Sequence, residues 1–74
     1  MSYEMEFGER LYKARKNAGM TQMELADQVG VTDRAISNWE NGHKAPTSFN
    51  VCMLAKTLGV SAGWLIAGEG EACK

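Results

Sequence analysis

Proline, histidine and cysteine are scarce in this chain, and each shortage removes a class of answer. Of 74 residues, one is Pro, one is His and two are Cys. The single histidine, His43, sits in the polar stretch "NGHKAPT" without a second His or Cys at ligand spacing, so no metal site and no histidine-based catalysis is expected. Cys52 falls inside a helical pattern and reads as a small buried hydrophobe; Cys73, beside the last residue, reads as a free tail thiol. A disulfide between them is unexpected in a reducing compartment. No apolar run approaches the ~18 residues of a membrane span. The start, "MSYEMEFGER", has neither the basic opening nor the apolar stretch of a secretion signal. A cytoplasmic protein with no membrane partner is therefore expected. Glycine-rich phosphate cradles are absent, and the paired glutamates Glu4/Glu6 and Glu69/Glu71 lie at the chain ends. A chain of 8.1 kDa also has little room for a substrate pocket. The expectation is a protein that is not an enzyme, with no catalytic residues, no cofactor and no small-molecule substrate.

What remains is an ordinary globular composition, 45% hydrophobic and 23% charged, of a length that supports one small core. The net charge of −1 hides an asymmetry. Residues 10–44 hold Arg10, Lys13, Arg15, Lys16, Arg34 and Lys44 against Glu24, Asp27, Asp33 and Glu40, a net of +2, and the rest of the chain carries −3. Bases gather in the middle and acids at the ends. This permits a phosphate-facing side without requiring one.

The apolar residues follow helical spacing throughout, and no period-2 strand is present. A first helix from about Glu4 to Ala18 carries Phe7, Leu11, Ala14 and Ala18 on one stripe and ends at Gly19. Thr21 and Glu24 form a capping box for a second helix of about eight residues, which pairs Leu25 with Val29 and stops at Gly30. Thr32 caps a third helix that closes at Asn41–Gly42. After the "HKAPT" loop, a fourth helix runs from Thr47 or Ser48 to Leu58 with Val51, Leu54, Ala55 and Leu58 inward. Ser61 caps a short fifth helix ended by Gly68. Each is too short to be stable alone. Together they can share a core of Phe7, Leu11, Leu25, Ala26, Val29, Ile36, Trp39, Val51, Leu54, Leu58 and Leu65. The expected fold is all-α, a compact five-helix domain over residues 1–70, with 71–74 as a tail or the start of a linker.

The second and third helices, joined by a short turn containing Gly30, have the geometry of a helix-turn-helix. At about 100° per residue, Ile36 and Trp39 lie within roughly 60° of one another on the buried side of the third helix. Arg34, Ser37, Asn38 and Asn41 occupy the opposite arc, with Asp33 at its flank and Glu40 at the border of the buried arc. Solvated helix faces are mostly Glu and Lys. This one carries an arginine, two asparagines and a serine, whose short or forked heads can read hydrogen-bonding edges.

The run "MTQMELADQVGVTDRAISNWENG", a later Pro, and "LAKTLGVSAGWLIAGEG" resemble the DNA-binding domain of the lambdoid phage repressor and Cro family, an XRE-like helix-turn-helix. The resemblance covers roughly Phe7 to Gly70. It implies a transcriptional regulator, most simply a repressor, that reads half of a pseudo-palindromic double-stranded DNA operator with its third helix in the major groove, as a homodimer. The positions that match the family's base-contacting residues are Asp33, Arg34, Ser37 and Asn38, with Ala35 against a thymine methyl. Arg34 suits guanine O6 and N7, Asn38 suits adenine, and Asp33 suits the cytosine amine. Asp33 also has a plain reading as a favourable charge at a helix start. Gln22, Thr32, Asn41 and Lys44 match backbone-contacting positions; Gln22 reads equally as an exposed first-turn residue, and Asn41 and Lys44 as ordinary loop residues. Arg15 and Glu40 match a structural ion pair that links the first helix to the third. Arg10, Lys13 and Lys16 read as a solvated face. Apolar residues near the fifth helix, Ile66 and the Ala62–Gly63 segment, are candidates for the dimer contact. The alternative is a helix-turn-helix protein-interaction module, antitoxin-like or a phage regulatory partner, with weak or no sequence-specific DNA binding; the low pI of 5.7 favours it.

Overall fold

The computed structural model describes residues 3–68. The 71–74 tail, Cys73, Glu69 and Glu71 lie outside the described residues. Five helices follow one another: α1 Tyr3–Asn17, α2 Gln22–Val29, α3 Asp33–Glu40, α4 Ser48–Leu58 and α5 Ala62–Ala67. No strand occurs among the described residues.

Local chemistry sets the boundaries. Thr21, Thr32, Thr47 and Ser61 each take an extended backbone and accept the N–H three residues on, which satisfies one orphan donor of each first turn. Thr21 goes further: its own N–H is held by the Glu24 carboxylate at 2.8 Å, closing the capping box. The turn between α2 and α3 depends on Gly30, at φ 87°, a left-handed conformation that a side chain would strain. There the N–H groups of Gly30 and Val31 both donate to the Ala26 carbonyl, at 2.8 and 3.0 Å. Two helix axes are thus fixed by a three-residue link.

α3 sits between α1 and α2, while α4 supports α2 and α5 closes against α4 and α1. Phe7, Leu11, Leu25, Ile36, Leu54 and Leu65 are fully buried where these faces meet. α1 approaches the end of α3 closely at Gly8. A Cβ built there would lie 2.5 Å from the Glu40 carbonyl oxygen and 2.6 Å from that of Trp39. α1 can cross the end of α3 this tightly only because residue 8 has no side chain.

Several expectations are corrected. Cys52 is exposed; one residue past Val51, it turns about 100° from the inward stripe of Val51, Leu54 and Ala55. Leu58 is half-buried and packs on the edge of the core, because α4 ends there and Gly59 turns the chain. The buried place falls to Val60, whose N–H returns to the Ala55 carbonyl at 3.0 Å. Ala18 is exposed, since α1 ends at Asn17. Arg10 is not simply solvated: its Nε and Nη2 donate to the carbonyls of Leu65 and Ile66 at 2.9 and 2.8 Å. It covers the C-terminal end of α5, where carbonyls are otherwise orphaned and the helix dipole favours a cation.

Candidate nucleic-acid interface

α3 presents its polar arc away from a floor of fully buried Ile36 and nearly buried Trp39. Asp33 and Arg34 are exposed on its first turn; Ser37 and Asn38 are half-buried on the second. Thr32 and Asn41 cap its two ends, and Lys44 is exposed in the loop beyond. Asn41 donates its amide N–H to the Ser37 hydroxyl at 3.3 Å, which leaves the hydroxyl's own proton free to be donated elsewhere. So Asp33, Arg34, Ser37 and Asn38 share one accessible face, flanked by the four residues matched to backbone contact.

Beneath that face lies a charged lock. Arg15 of α1 grips Glu40 of α3 through Nε to Oε2 at 2.6 Å and Nη2 to Oε1 at 3.1 Å, while its Nη1 donates to the Met20 carbonyl at 2.9 Å. The Tyr12 ring covers the guanidinium, 5.4 Å from its centroid. The two side chains retain 9% and 4% of their exposure. The Glu40 hydrogen bond raises the Arg15 pKa above its ordinary value, more than burial lowers it. A raised basic pKa adds stability that is fully present below the unfolded-state value; for arginine, this covers the whole working pH range. Glu40, read from its angle as a border residue, is therefore turned inward.

Gln22 joins this lock. Its side-chain Nε2 donates to Glu40 Oε1 at 3.0 Å, and the residue is half-buried at the first position of α2. Sequence reasoning did not find this bond, because it joins residues 18 apart and depends on how α2 crosses α3.

The charge around the face is uneven. Asp33 borders the same cleft as Glu24 and Asp27, which makes the α2 side of the interface acidic. Glu24 and Asp33 each lie in the first turn of their own helix, where the dipole offsets part of that charge. At the other end, Lys13 of α1 shares a cleft with Glu9, Gln22, Glu40 and Asn41, and Lys44 follows in sequence. Arg10 and Arg15 are both engaged internally, so Lys13, Lys16, Arg34 and Lys44 are the bases left to meet an anion within residues 10–44.

Comparison with known proteins gives a consistent picture. A family model described as a helix-turn-helix domain matches residues 8–71. The chain is 35% identical over 67 residues to the HTH-type transcriptional regulator DicA of Escherichia coli K12, covering 90% of this chain and 50% of DicA. It is 37% identical over 62 residues to repressor protein C2 of Salmonella phage P22, covering 84% of this chain and 29% of C2. The chain thus spans half or less of these two curated relatives. A crystal structure of the P22 c2 repressor with a synthetic operator matches with a TM-score of 0.82 at 36% identity, covering 85% of this chain and 96% of that one.

Proposed function

The chain belongs to the helix-turn-helix domain family, and from that premise we propose that it is the DNA-reading part of a transcriptional regulator, most simply a repressor. α3 enters the major groove of double-stranded DNA and reads an operator half-site. The observation that carries this is the polar face of Asp33, Arg34, Ser37 and Asn38 on a helix tied to α1 by the Arg15–Glu40 pair. The likeness to a repressor crystallised with operator DNA supports it. Arg34 is the strongest base reader, since its fork matches guanine O6 and N7. Gln22, Thr32, Asn41 and Lys44 hold the phosphates on either side. The chain acts in the cytoplasm of a bacterial cell, associated with the nucleoid through DNA. It binds a pseudo-palindrome as a homodimer whose contact includes exposed Ile66 and the Ala62–Gly63 segment. Only helices shorter than a membrane span occur among the described residues.

A second reading has its own observation. The acidic margin of Glu24, Asp27 and Asp33 beside the face suits a basic protein partner better than phosphate. Quantitative filter binding separates the two. On the DNA reading, one sequence is bound ~10³-fold or more tightly than random duplex at moderate salt. Binding that ignores sequence and disappears above about 100 mM salt supports the protein-partner reading instead.

A further inference from the structure

Glu40 is 4% exposed at its side chain and cannot itself meet DNA, yet it holds a residue that can. A carboxylate only accepts hydrogen bonds, so the 3.0 Å contact from Gln22 fixes the amide with its NH2 end toward Glu40. That nitrogen carries two hydrogens. With one directed at Oε1, the other points away from Glu40 within the amide plane. Gln22 is the first residue of α2, and the capping box consumes the N–H groups of Thr21 and Glu24. The backbone donors of Gln22 and Met23 are the remaining orphans of that turn.

We propose that Glu40 is a positioning residue for the DNA backbone contact: it orients the Gln22 amide so that its second N–H stands beside the α2 donors and together they take a phosphate oxygen. This rests on the DNA-binding reading above and adds a role that the ion pair alone does not have. Arg15 fixes Glu40, Glu40 fixes Gln22, and Gln22 presents the donor. The buried pair thereby acts on affinity for every sequence, as well as on the pose of α3.

A double-mutant cycle on a random duplex of about 20 base pairs tests it, with Gln22→Ala, Glu40→Gln and the double variant compared at one salt concentration. Each single change is expected to weaken binding roughly tenfold, the scale of one hydrogen bond to a charged group. Glu40→Gln should weaken binding clearly less once Gln22 is alanine, the remainder being its effect on the pose of α3. The salt dependence of Gln22→Ala should match that of the unaltered protein, because Gln22 carries no charge. Equal losses from Glu40→Gln in both backgrounds would mean that Glu40 serves α3 alone, and would overturn the proposal. Should Glu40→Gln fail to fold, nitrogen-15 NMR of the unaltered protein decides. The expected result is one Gln22 side-chain N–H shifted downfield and slowed in exchange before DNA is added, and the other shifting on its addition. Two side-chain N–H signals with the shifts and exchange rates of an exposed glutamine, unmoved by DNA, overturn the proposal. Failure of the unaltered protein to bind any duplex at about 50 mM salt overturns the functional reading and this proposal with it, and is distinct from an additive cycle.

Discussion

Replacing Gly8 by alanine isolates the approach of α1 to α3. The added Cβ would stand 2.5 Å from the Glu40 carbonyl oxygen, where ordinary contact begins at 3.4 Å, so one helix must give way by about 0.9 Å. The obstructing atoms are backbone, and no rotamer change relieves them. Alanine gains about 1 kcal/mol of helix propensity over glycine, against about 1–3 kcal/mol for overpacking in a tight interior. With backbone as the obstacle, the upper part of that range applies, leaving a net loss of about 1–2 kcal/mol. For a domain of this size that is roughly 5–15 °C in Tm. Gly63 is the control: it too is helical, but nothing lies within 4 Å of its Cβ position. Gly63→Ala should therefore be neutral or stabilising by up to about 1 kcal/mol. Thermal unfolding followed by circular dichroism measures both. If Gly8→Ala were as stable as the unaltered protein, or more so, the close crossing of α1 over the end of α3 would be refuted.

Three further outcomes are expected. Arg15→Met alone leaves a buried carboxylate and should destabilise by about 3–5 kcal/mol in urea unfolding, whereas Arg15→Met with Glu40→Leu should recover most of that loss; the double variant should still bind random duplex poorly, having lost the partner of Gln22. Arg10→Met removes both bonds to the end of α5 and should lower the urea midpoint by an amount equivalent to about 1–2 kcal/mol, with α5 amides showing the largest rise in hydrogen exchange. Cys52 should react with an aromatic disulfide reagent in the folded state as fast as an exposed thiol does, and protection until unfolding would contradict its outward position on α4.

The caps and the core stripe were legible because they are local. Thr21 with Glu24, Gly30, and the inward set of Val51, Leu54 and Ala55 are each determined within one or two turns of chain. The polar face of α3 was legible for the same reason, since helical spacing alone assigns Ile36 and Trp39 to one side and Arg34 to the other. What escaped depends on how helices cross. Arg10 finds its acceptors 55 and 56 residues away, and the Gln22–Glu40 bond exists only because α2 lies against α3. Gly8 did leave a trace: a glycine amid the strong helix formers of "EMEFGERLYKA" is unfavourable unless a neighbour needs the space. Cys52 was misplaced because a small apolar side chain suits either face of a helix, so its identity said little about its direction.

The central claim is that α3 reads DNA sequence through Arg34 and its neighbours. Selection of bound duplexes from a random pool, performed in parallel with the unaltered chain and with Arg34→Ala, tests it most directly. The expected product of the unaltered chain is a pseudo-palindrome with half-sites about 10 base pairs apart, centre to centre. Arg34→Ala should lose preference at one base pair of each half-site, by about 1–3 kcal/mol, and keep the others. No enriched sequence, or the same enriched sequence from both proteins, would contradict the account.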